Sequence, residues 1–262
     1  MKIENKNVII TGGASGIGKQ LVLQMLAKGA NVAALDIDEK GLEQLKKEVG
    51  NKNLKTYVVN MGDKESIKEF KPKYLKDFAD VDILINNAGI IQPFKCFEDL
   101  DDETIERIMN VNFCGPVNLI REFVEDMKNN TKEQYIVNVS SMGGFFPFPL
   151  QTIYGASKAA LKIFSEGLYS ELKKYHNRVM IVFPGAINTN IAKNSKTELN
   201  ISSENTKAYK MLEADVCAAK IIKGIEKNKF KLFVGRDSKF MRFMYRLNSK
   251  KAIDMVSKNM IK

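Results

Sequence analysis

The chain has 262 residues, of which 44% are hydrophobic, and this length is enough to bury one sizeable core. No apolar run approaches the roughly 20 residues that cross a bilayer, and the start of the chain lacks a signal-peptide pattern. Three scattered cysteines and one histidine give no metal-binding spacing and argue against a Ser-His-Asp hydrolase. We therefore expect one cytoplasmic domain over 1–262, with reduced cysteines and no metal site.

A net charge of +10 raises the question of a nucleic-acid partner. The excess charge is spread over lysine-rich helix faces and the C-terminal tail, and no basic platform is interleaved with aromatic residues. We therefore expect a small-molecule ligand and no nucleic acid.

A glycine-rich loop follows the first predicted strand, Asn7–Thr11, and an apolar-periodic helix follows the loop. In that order, the backbone can approach a pyrophosphate and the N–H groups that open the helix point at it. Glycines also serve ordinary turns, so the assignment depends on the strand–helix context. The predicted dinucleotide-binding residues, spaced T-G-x-x-x-G-x-G, are Gly12, Ser15, Gly16, Ile17 and Gly18.

The second predicted strand, Asn31–Asp36, ends in an acid. An acid at this position can accept hydrogen bonds from an adenosine ribose and repel a 2′-phosphate. Ile37 and Ser15 occupy positions where an Arg or Lys could otherwise bind the 2′-phosphate of NADP. NAD(H) is therefore the preferred coenzyme and NADP(H) is not excluded. The alternative is that Asp36 only starts the helix that follows it.

Strands and helices alternate along the chain, which predicts a mostly parallel sheet covered on both faces. Further strands are predicted at 54–60, 81–87, 136–139, 178–183 and 231–234, and helices at 64–78, 101–129, from 152 and at 215–227. We expect a break at Pro72 and a bend around Asn110–Pro116, because Asn, Gly and Pro disfavour helix interiors. A stripe in the helix from 152 indicates a core or subunit contact: Leu161, Phe164, Leu168 and Leu172.

The stretch 136–158 carries the candidate chemistry. Tyr154 and Lys158 are four residues apart, which places both side chains on one face of a helix. A phenol ionises near pH 10, and a nearby ammonium favours the phenolate, so the pair is a candidate general acid/base. Ser141 lies at the exit of the preceding strand, where its hydroxyl could hold a substrate oxygen. The alternative is that Tyr-x-x-x-Lys arises by chance on a surface helix.

Taken in order, the motifs resemble those of the short-chain dehydrogenase/reductases, in their single-domain branch. The resemblance covers about 6–234 and rests on the glycine loop, Asn86-Asn-Ala-Gly89, Asn112, Ser141, Tyr154-x-x-x-Lys158 and Pro184-Gly185. It implies a doubly wound Rossmann fold with a seven-stranded sheet in the order 3-2-1-4-5-6-7 and helices on both faces.

The resemblance also implies residue roles. Asn112, Ser141, Tyr154 and Lys158 would form the catalytic tetrad of an alcohol/ketone oxidoreductase, with Lys158 on the nicotinamide ribose and Asn112 anchoring a water. Further coenzyme contacts are implied for Asn60, Met61, Asn87, Ala88, Gly89, Pro184, Gly185, Ile187 and Thr189. Asn60 stands where the family commonly has Asp, and because its amide still offers an acceptor oxygen, the contact with adenine is expected to persist.

The sequence does not identify the substrate. The run Phe145–Leu150 is expected to wall the pocket, with Phe145 and Phe148 as substrate contacts beside Ser141 and Tyr154. This run favours an apolar alcohol or ketone as substrate, such as a hydroxysteroid. The alternative is that some of these rings face the core or a neighbouring subunit. A 3-oxoacyl-type reductase and a non-catalytic dinucleotide-binding or scaffold member are the alternatives. Residues 190–210 are polar and aperiodic, and we expect a loop or short mobile helix over the site.

The tail, 236–262, is expected to add one or two helices to the same domain. Phe240, Phe243, Met244 and Leu247 form one apolar stripe, with basic residues beside it. Such a helix can dock on its own domain, pack in a homodimer or homotetramer, or make a weak peripheral membrane contact.

Overall fold

The structure is a computed structural model that describes residues 1–189, 191, 195 and 211–260. Its strands are β1 (Asn7–Thr11), β2 (Asn31–Asp36), β3 (Leu54–Val58), β4 (Ile83–Asn86), β5 (Gln134–Val139), β6 (Asn177–Pro184), β7 (Ile187–Asn188), β8 (Leu212–Glu213) and β9 (Lys231–Val234). Its helices are α1 (Gly16–Ala27), α2 (Glu39–Val49), α3 (Lys64–Asp77), α4 (Asp102–Met109), α5 (Gly115–Asn129), α6 (Thr152–Leu172), α7 (Ala214–Glu226), α8 (Arg236–Leu247) and α9 (Ser249–Met260).

Seven strands form one parallel sheet in the order β3-β2-β1-β4-β5-β6-β9. This confirms the predicted sheet order, with β9 as the seventh strand, since β7 and β8 pair only with each other. The order reverses between β1 and β4, where the carboxyl ends of neighbouring strands diverge and leave a crevice for a ligand.

Two apolar layers cover the sheet. One face packs against α1, α2 and α7, and the other against α3, α5 and α6. Leu161, Leu168 and Leu172 are buried and Phe164 is partly buried, so the predicted stripe of α6 belongs to the core. Because both faces are covered, the central strands are nearly continuous apolar runs, as β1 (NVIIT) and β4 (ILIN) show.

Two helix irregularities were predicted, and one of the two predictions is wrong. Helix α3 runs unbroken through Pro72. Ile67, Phe70 and Tyr74 are buried on either side of the proline, and this burial outweighs the single backbone hydrogen bond that proline removes. The bend predicted around Asn112 is confirmed, because Asn110–Cys114 forms one π-helical turn between α4 and α5.

The tail forms two helices, α8 and α9, as predicted. They dock on the segment after β5 through a small cluster that includes Phe146, Met241 and Ala252. The predicted loop falls on 190–210, which lies outside the described residues except for Ile191 and Ser195. Across the described ranges, no helix combines the length and apolar character that a membrane crossing requires.

Candidate active site

The glycine loop joins β1 to α1 at the crevice. Gly12 and Gly16 have φ values of 69° and 51°, a region that side-chain-bearing residues rarely adopt. Gly18 faces the carbonyl oxygen of Gly12 so closely that a Cβ would collide with it. Ser15 stands at the N-cap position of α1, and Ile17 packs against the core. The loop therefore has the bare backbone and the helix N-terminus that suit a pyrophosphate.

Thr11 ties this loop to the end of β4. Its Oγ1 accepts hydrogen bonds from the backbone N–H groups of Asn87 and Ala88, both at 3.0 Å. The Asn87 side chain in turn donates to the carbonyl oxygen of Thr11 at 3.0 Å. The predicted coenzyme segment Asn87–Gly89 is thereby held beside the glycine loop. Sequence reasoning quoted Thr11 only as part of the motif and gave it no role of its own.

Asp36 points into the glycine loop. Its carboxylate accepts hydrogen bonds from the N–H of Ala14 at 3.0 Å and of Asp38 at 3.1 Å. The helix-starting role belongs to Asp38, whose side chain caps α2 by accepting from the N–H of Gly41. The alternative interpretation of Asp36 as a helix start is therefore wrong. Its half-buried carboxylate places a negative charge at the edge of the crevice.

The other predicted coenzyme residues lie just after β3 and after β6. Asn60 is exposed just beyond β3, with its side-chain oxygen accepting from Gly62 N–H at 2.9 Å, whereas Met61 is buried in the core. Pro184 ends β6, Gly185 follows it, and Ile187 is half-buried in β7. The side chain of Thr189 lies against Gly16.

Helix α8 holds this last segment in place. Asp237, in the first turn, accepts a hydrogen bond from the N–H of Ala186 at 2.6 Å, and Ser238 donates to the carbonyl oxygen of Phe183 at 2.9 Å. The tail therefore supports the 183–189 stretch directly. No sequence signal linked Asp237 to that stretch, because the two are far apart in the chain.

The structure brings Ser141, Tyr154 and Lys158 together. Ser141 follows β5, and its Oγ accepts from the N–H of Gly143 at 3.1 Å. The Ser141 Oγ and the Tyr154 ring both lie against Gly143, at 3.6 and 3.4 Å from a Cβ built on it. Lys158, one helical turn after Tyr154, is buried and donates to the carbonyl oxygen of Val139 at 3.1 Å. A Cβ built on Gly89 would lie 3.0 Å from Lys158 Nζ, so the lysine reaches the coenzyme segment.

Burial decides the protonation of the pair. Loss of solvent raises the pKa of Tyr154 above its ordinary value, although the hydrogen bond from Ser141 opposes this shift. The same loss of solvent lowers the pKa of Lys158 to about 8, because burial penalises the charged ammonium. Burial and Ser141 account for the shift of the Tyr154 pKa, and the lowering that we expect from Lys158 stays a prediction.

Asn112 lies in the π-helical turn and is fully buried. Its side-chain oxygen accepts from the N–H of Ile90, and its amide donates to the carbonyl oxygen of Ile90, both at 2.9 Å. The amide also donates to Ser157 Oγ at 3.0 Å, and Ser157 donates to the carbonyl oxygen of Tyr154. Asn112 thus connects the coenzyme segment to the helix that carries Tyr154. Its predicted role in anchoring a water stays a prediction.

Gln92 is a further positioning residue that sequence reasoning missed. Its side-chain oxygen accepts from the N–H groups of Ile153 and Tyr154, at 2.8 and 3.0 Å, and so caps α6. Its amide donates at 2.9 Å to the carbonyl oxygen of Leu150, a residue held at a φ of 62°. The cap comes from a loop some sixty residues upstream, so no local capping pattern could have indicated it.

Replacing Gln92 with leucine is expected to destabilise the protein. The change leaves the Ile153 and Tyr154 N–H groups without their acceptor, and a buried unsatisfied donor costs about 1–3 kcal/mol. We expect the melting temperature to fall by several degrees. Gln44→Leu, the same exchange at an exposed position of α2, should leave the melting temperature nearly unchanged. Equal losses for the two variants would contradict the capping role.

The phenylalanine run lies on the tail side of Ser141. Phe145 packs edge-on against Phe183 and Phe233, and Phe148 packs against Phe146. Both line a cleft of about 610 Å³ between α6 and α8 that Gly143, which is next to the Tyr154 ring, also borders. The buried Phe146 faces Tyr245 of α8, so the alternative that some of these rings face the core holds for that residue. Substrate contacts for Phe145 and Phe148 stay predictions.

In the parts of the chain that the structure describes, no group of three or more His, Cys, Asp or Glu side chains could hold a metal ion. Cys96 is exposed, Cys114 is half-buried and Cys217 is buried, and all three are free thiols.

Comparison with known proteins agrees with this geometry. Residues 6–200 match the family model for short chain dehydrogenases. The 3-oxoacyl-[acyl-carrier-protein] reductase FabG of Thermotoga maritima is 37% identical over 191 residues, which cover 72% of this chain and 77% of that protein.

A short-chain dehydrogenase/reductase of Burkholderia phymatum, solved in complex with NAD, has a TM-score of 0.85 with 20% identity and 95% coverage of both chains. A Burkholderia cenocepacia short chain dehydrogenase, in complex with NADP, has a TM-score of 0.80 with 23% identity and 100% coverage of both. This chain belongs to the short-chain dehydrogenase/reductase family of oxidoreductases.

Proposed function

We propose that this chain interconverts a secondary alcohol and a ketone with a nicotinamide dinucleotide as hydride carrier. The observation that supports this most is the meeting of Ser141, Tyr154 and Lys158 beside Gly89 at the crevice of the sheet. The crevice fits the coenzyme, because the loop at Gly12 and Gly16 leaves bare backbone where a pyrophosphate would approach.

The residues of the site would act as follows, with Lys158 also favouring the Tyr154 phenolate. A bound nicotinamide dinucleotide supplies or accepts the hydride. Tyr154 donates its phenolic proton to the carbonyl oxygen during reduction and takes it back during alcohol oxidation, while Ser141 holds the same oxygen. Lys158 binds the nicotinamide ribose, and Asn112 fixes the coenzyme segment against α6.

NAD(H) is the coenzyme that we propose as preferred. Related structures carry either NAD or NADP, so the preference depends on residues of this chain. Asp36 directs its carboxylate at the glycine loop, where the 2′-phosphate of NADP would meet a like charge. We assign Asn60 and Met61 to the adenine end of the coenzyme, and Ile187 and Thr189 to the nicotinamide end.

For the substrate we propose an apolar ketone or alcohol, such as a hydroxysteroid or another lipid-like alcohol. The aromatic cleft lined by Phe145, Phe183 and Phe233 beside Gly143 supports this class. A second candidate is a 3-oxoacyl thioester, which is favoured by the 37% identical 3-oxoacyl-[acyl-carrier-protein] reductase of Thermotoga maritima.

A substrate panel tests the function. Steroid ketones, cyclic ketones, medium-chain ketones and 3-oxoacyl thioesters would be assayed for oxidation of NADH and NADPH side by side. Turnover of one class identifies the substrate. Coenzyme binding without turnover of any of them would favour the non-catalytic alternative.

The rate is expected to depend on pH differently in the two directions. Since burial raises the pKa of Tyr154 above its ordinary value near 10, the phenol stays protonated through neutral pH. Ketone reduction, which needs the protonated form, should change little between about pH 6 and 8, whereas alcohol oxidation should rise roughly tenfold per pH unit. Initial rates measured in both directions check this, and a flat oxidation profile would contradict Tyr154 as the base.

We also propose a homodimer or homotetramer in the cytoplasm, without a nucleic-acid partner, and a peripheral membrane contact through the C-terminal helices. Three unpaired cysteines suit a reducing compartment. Sedimentation or light scattering of the purified protein measures the assembly mass.

A further inference from the structure

Helix α8 has a buried inner face and an exposed, apolar outer face. The inner face carries Ser238 and Met241, which are buried, and Tyr245, which packs on Phe146. The outer face carries Phe240, Phe243 and Leu247, which are 54%, 60% and 67% exposed. At about 100° per residue, these three side chains fall within about 60° of one another and roughly opposite the inner face.

Of the three alternatives for this stripe, docking on its own domain therefore does not hold for these three residues, and only Met244 of the stripe contacts the cluster. The inner face already supplies the contacts that hold the helix. Large apolar side chains exposed together on one helix face indicate an interaction surface.

The charges beside the stripe have one sign. Lys239 and Arg246 are exposed along one flank of the outer face, whereas the Arg242 guanidinium lies over the Phe233 ring, 4.1 Å from its centroid. The only acid of α8 is Asp237, and its carboxylate is engaged by the N–H of Ala186. Over 236–262, eight basic residues stand against two acidic ones, so this tenth of the chain carries +6 of the net +10.

We propose that the outer face of α8 binds the surface of an anionic lipid bilayer. Phe240, Phe243 and Leu247 would enter the boundary between headgroups and acyl chains, while Lys239 and Arg246 would lie among the anionic headgroups. The matching of cations to an anionic surface favours this partner over a second copy of the chain. Two copies meeting on this face would bring the same two cations of each helix together, where like charges repel.

Vesicle co-sedimentation of the full-length protein tests the proposal. The vesicles would be phosphatidylcholine alone or phosphatidylcholine with about 30% phosphatidylglycerol, at low and at high salt. We expect binding only to the anionic vesicles, with release at high salt. The double variant Phe240→Ser/Phe243→Ser, which keeps every charge, should weaken the partition by about tenfold or more.

A matched control is available in Phe97→Ser. Phe97 is 58% exposed but is followed by Glu98 and Asp99, so its loss should leave vesicle binding unchanged. Melting temperatures and masses of all variants show whether they are folded and equally assembled. Because the readout is binding, the result does not depend on the proposed oxidoreductase activity.

Three results would overturn the proposal. Wild-type protein that stays in the supernatant with anionic vesicles at low salt rules out the bilayer as partner. Binding that the double variant retains in full means that net charge alone attracts the protein. A double variant of lower mass, from a wild type that ignores vesicles, would assign the face to a second copy of the chain.

Discussion

Replacing Tyr154 with phenylalanine is expected to lower turnover by roughly 100-fold or more while leaving coenzyme affinity nearly unchanged. The variant keeps the ring that packs beside Gly143 and removes only the hydroxyl that Ser141 contacts. Because the hydroxyl transfers the proton, its loss should appear in kcat rather than in the coenzyme dissociation constant. Steady-state kinetics and fluorescence titration with NADH measure the two quantities separately.

Tyr169→Phe provides the matched control. Tyr169 lies on the same helix, is partly exposed, and stacks on Phe230 far from Ser141. The same loss of one hydroxyl there should leave turnover unchanged. Near-normal turnover of Tyr154→Phe on any good substrate would exclude the proposed proton transfer.

The second large effect that we expect is a preference for NAD(H) over NADP(H). We expect kcat/KM for NAD(H) to exceed that for NADP(H) by tenfold or more, because about 1.4 kcal/mol of repulsion corresponds to a factor of ten. Asp36→Asn should remove most of this preference. The amide keeps an oxygen that can accept from the N–H of Ala14, so the glycine loop should stay in place.

Glu39→Gln is the matched control for this change, since it removes one exposed negative charge at the start of α2 without touching the glycine loop. Its coenzyme preference should equal that of the wild type. Equal kcat/KM values for the two coenzymes in the wild type, or a preference for NADPH, would show that a base such as Lys40 meets the 2′-phosphate.

Local sequence patterns determined the sheet and those residues of the site that belong to sequence motifs. Apolar runs such as Asn7–Thr11 specify buried strands, and strand–helix alternation specifies a parallel sheet with right-handed crossovers. The spacing of Tyr154 and Lys158 depends only on helix geometry, so it was readable before any fold was known. Asn, Gly and Pro in succession likewise marked the irregular turn at Asn112.

Features that depend on burial or on contacts between distant segments could be determined only from the tertiary structure. Gln92 caps α6, and Asp237 holds Ala186, across separations that no local pattern encodes. Pro72 stays inside α3 because burial on both sides outweighs a weak local preference. The pKa of Tyr154 moves upward because desolvation is a property of the packed site, whereas the sequence shows only that a lysine is near. The apolar stripe of α8 was visible in the sequence, but which face of the helix docks was set by the cluster around Phe146 and Met241.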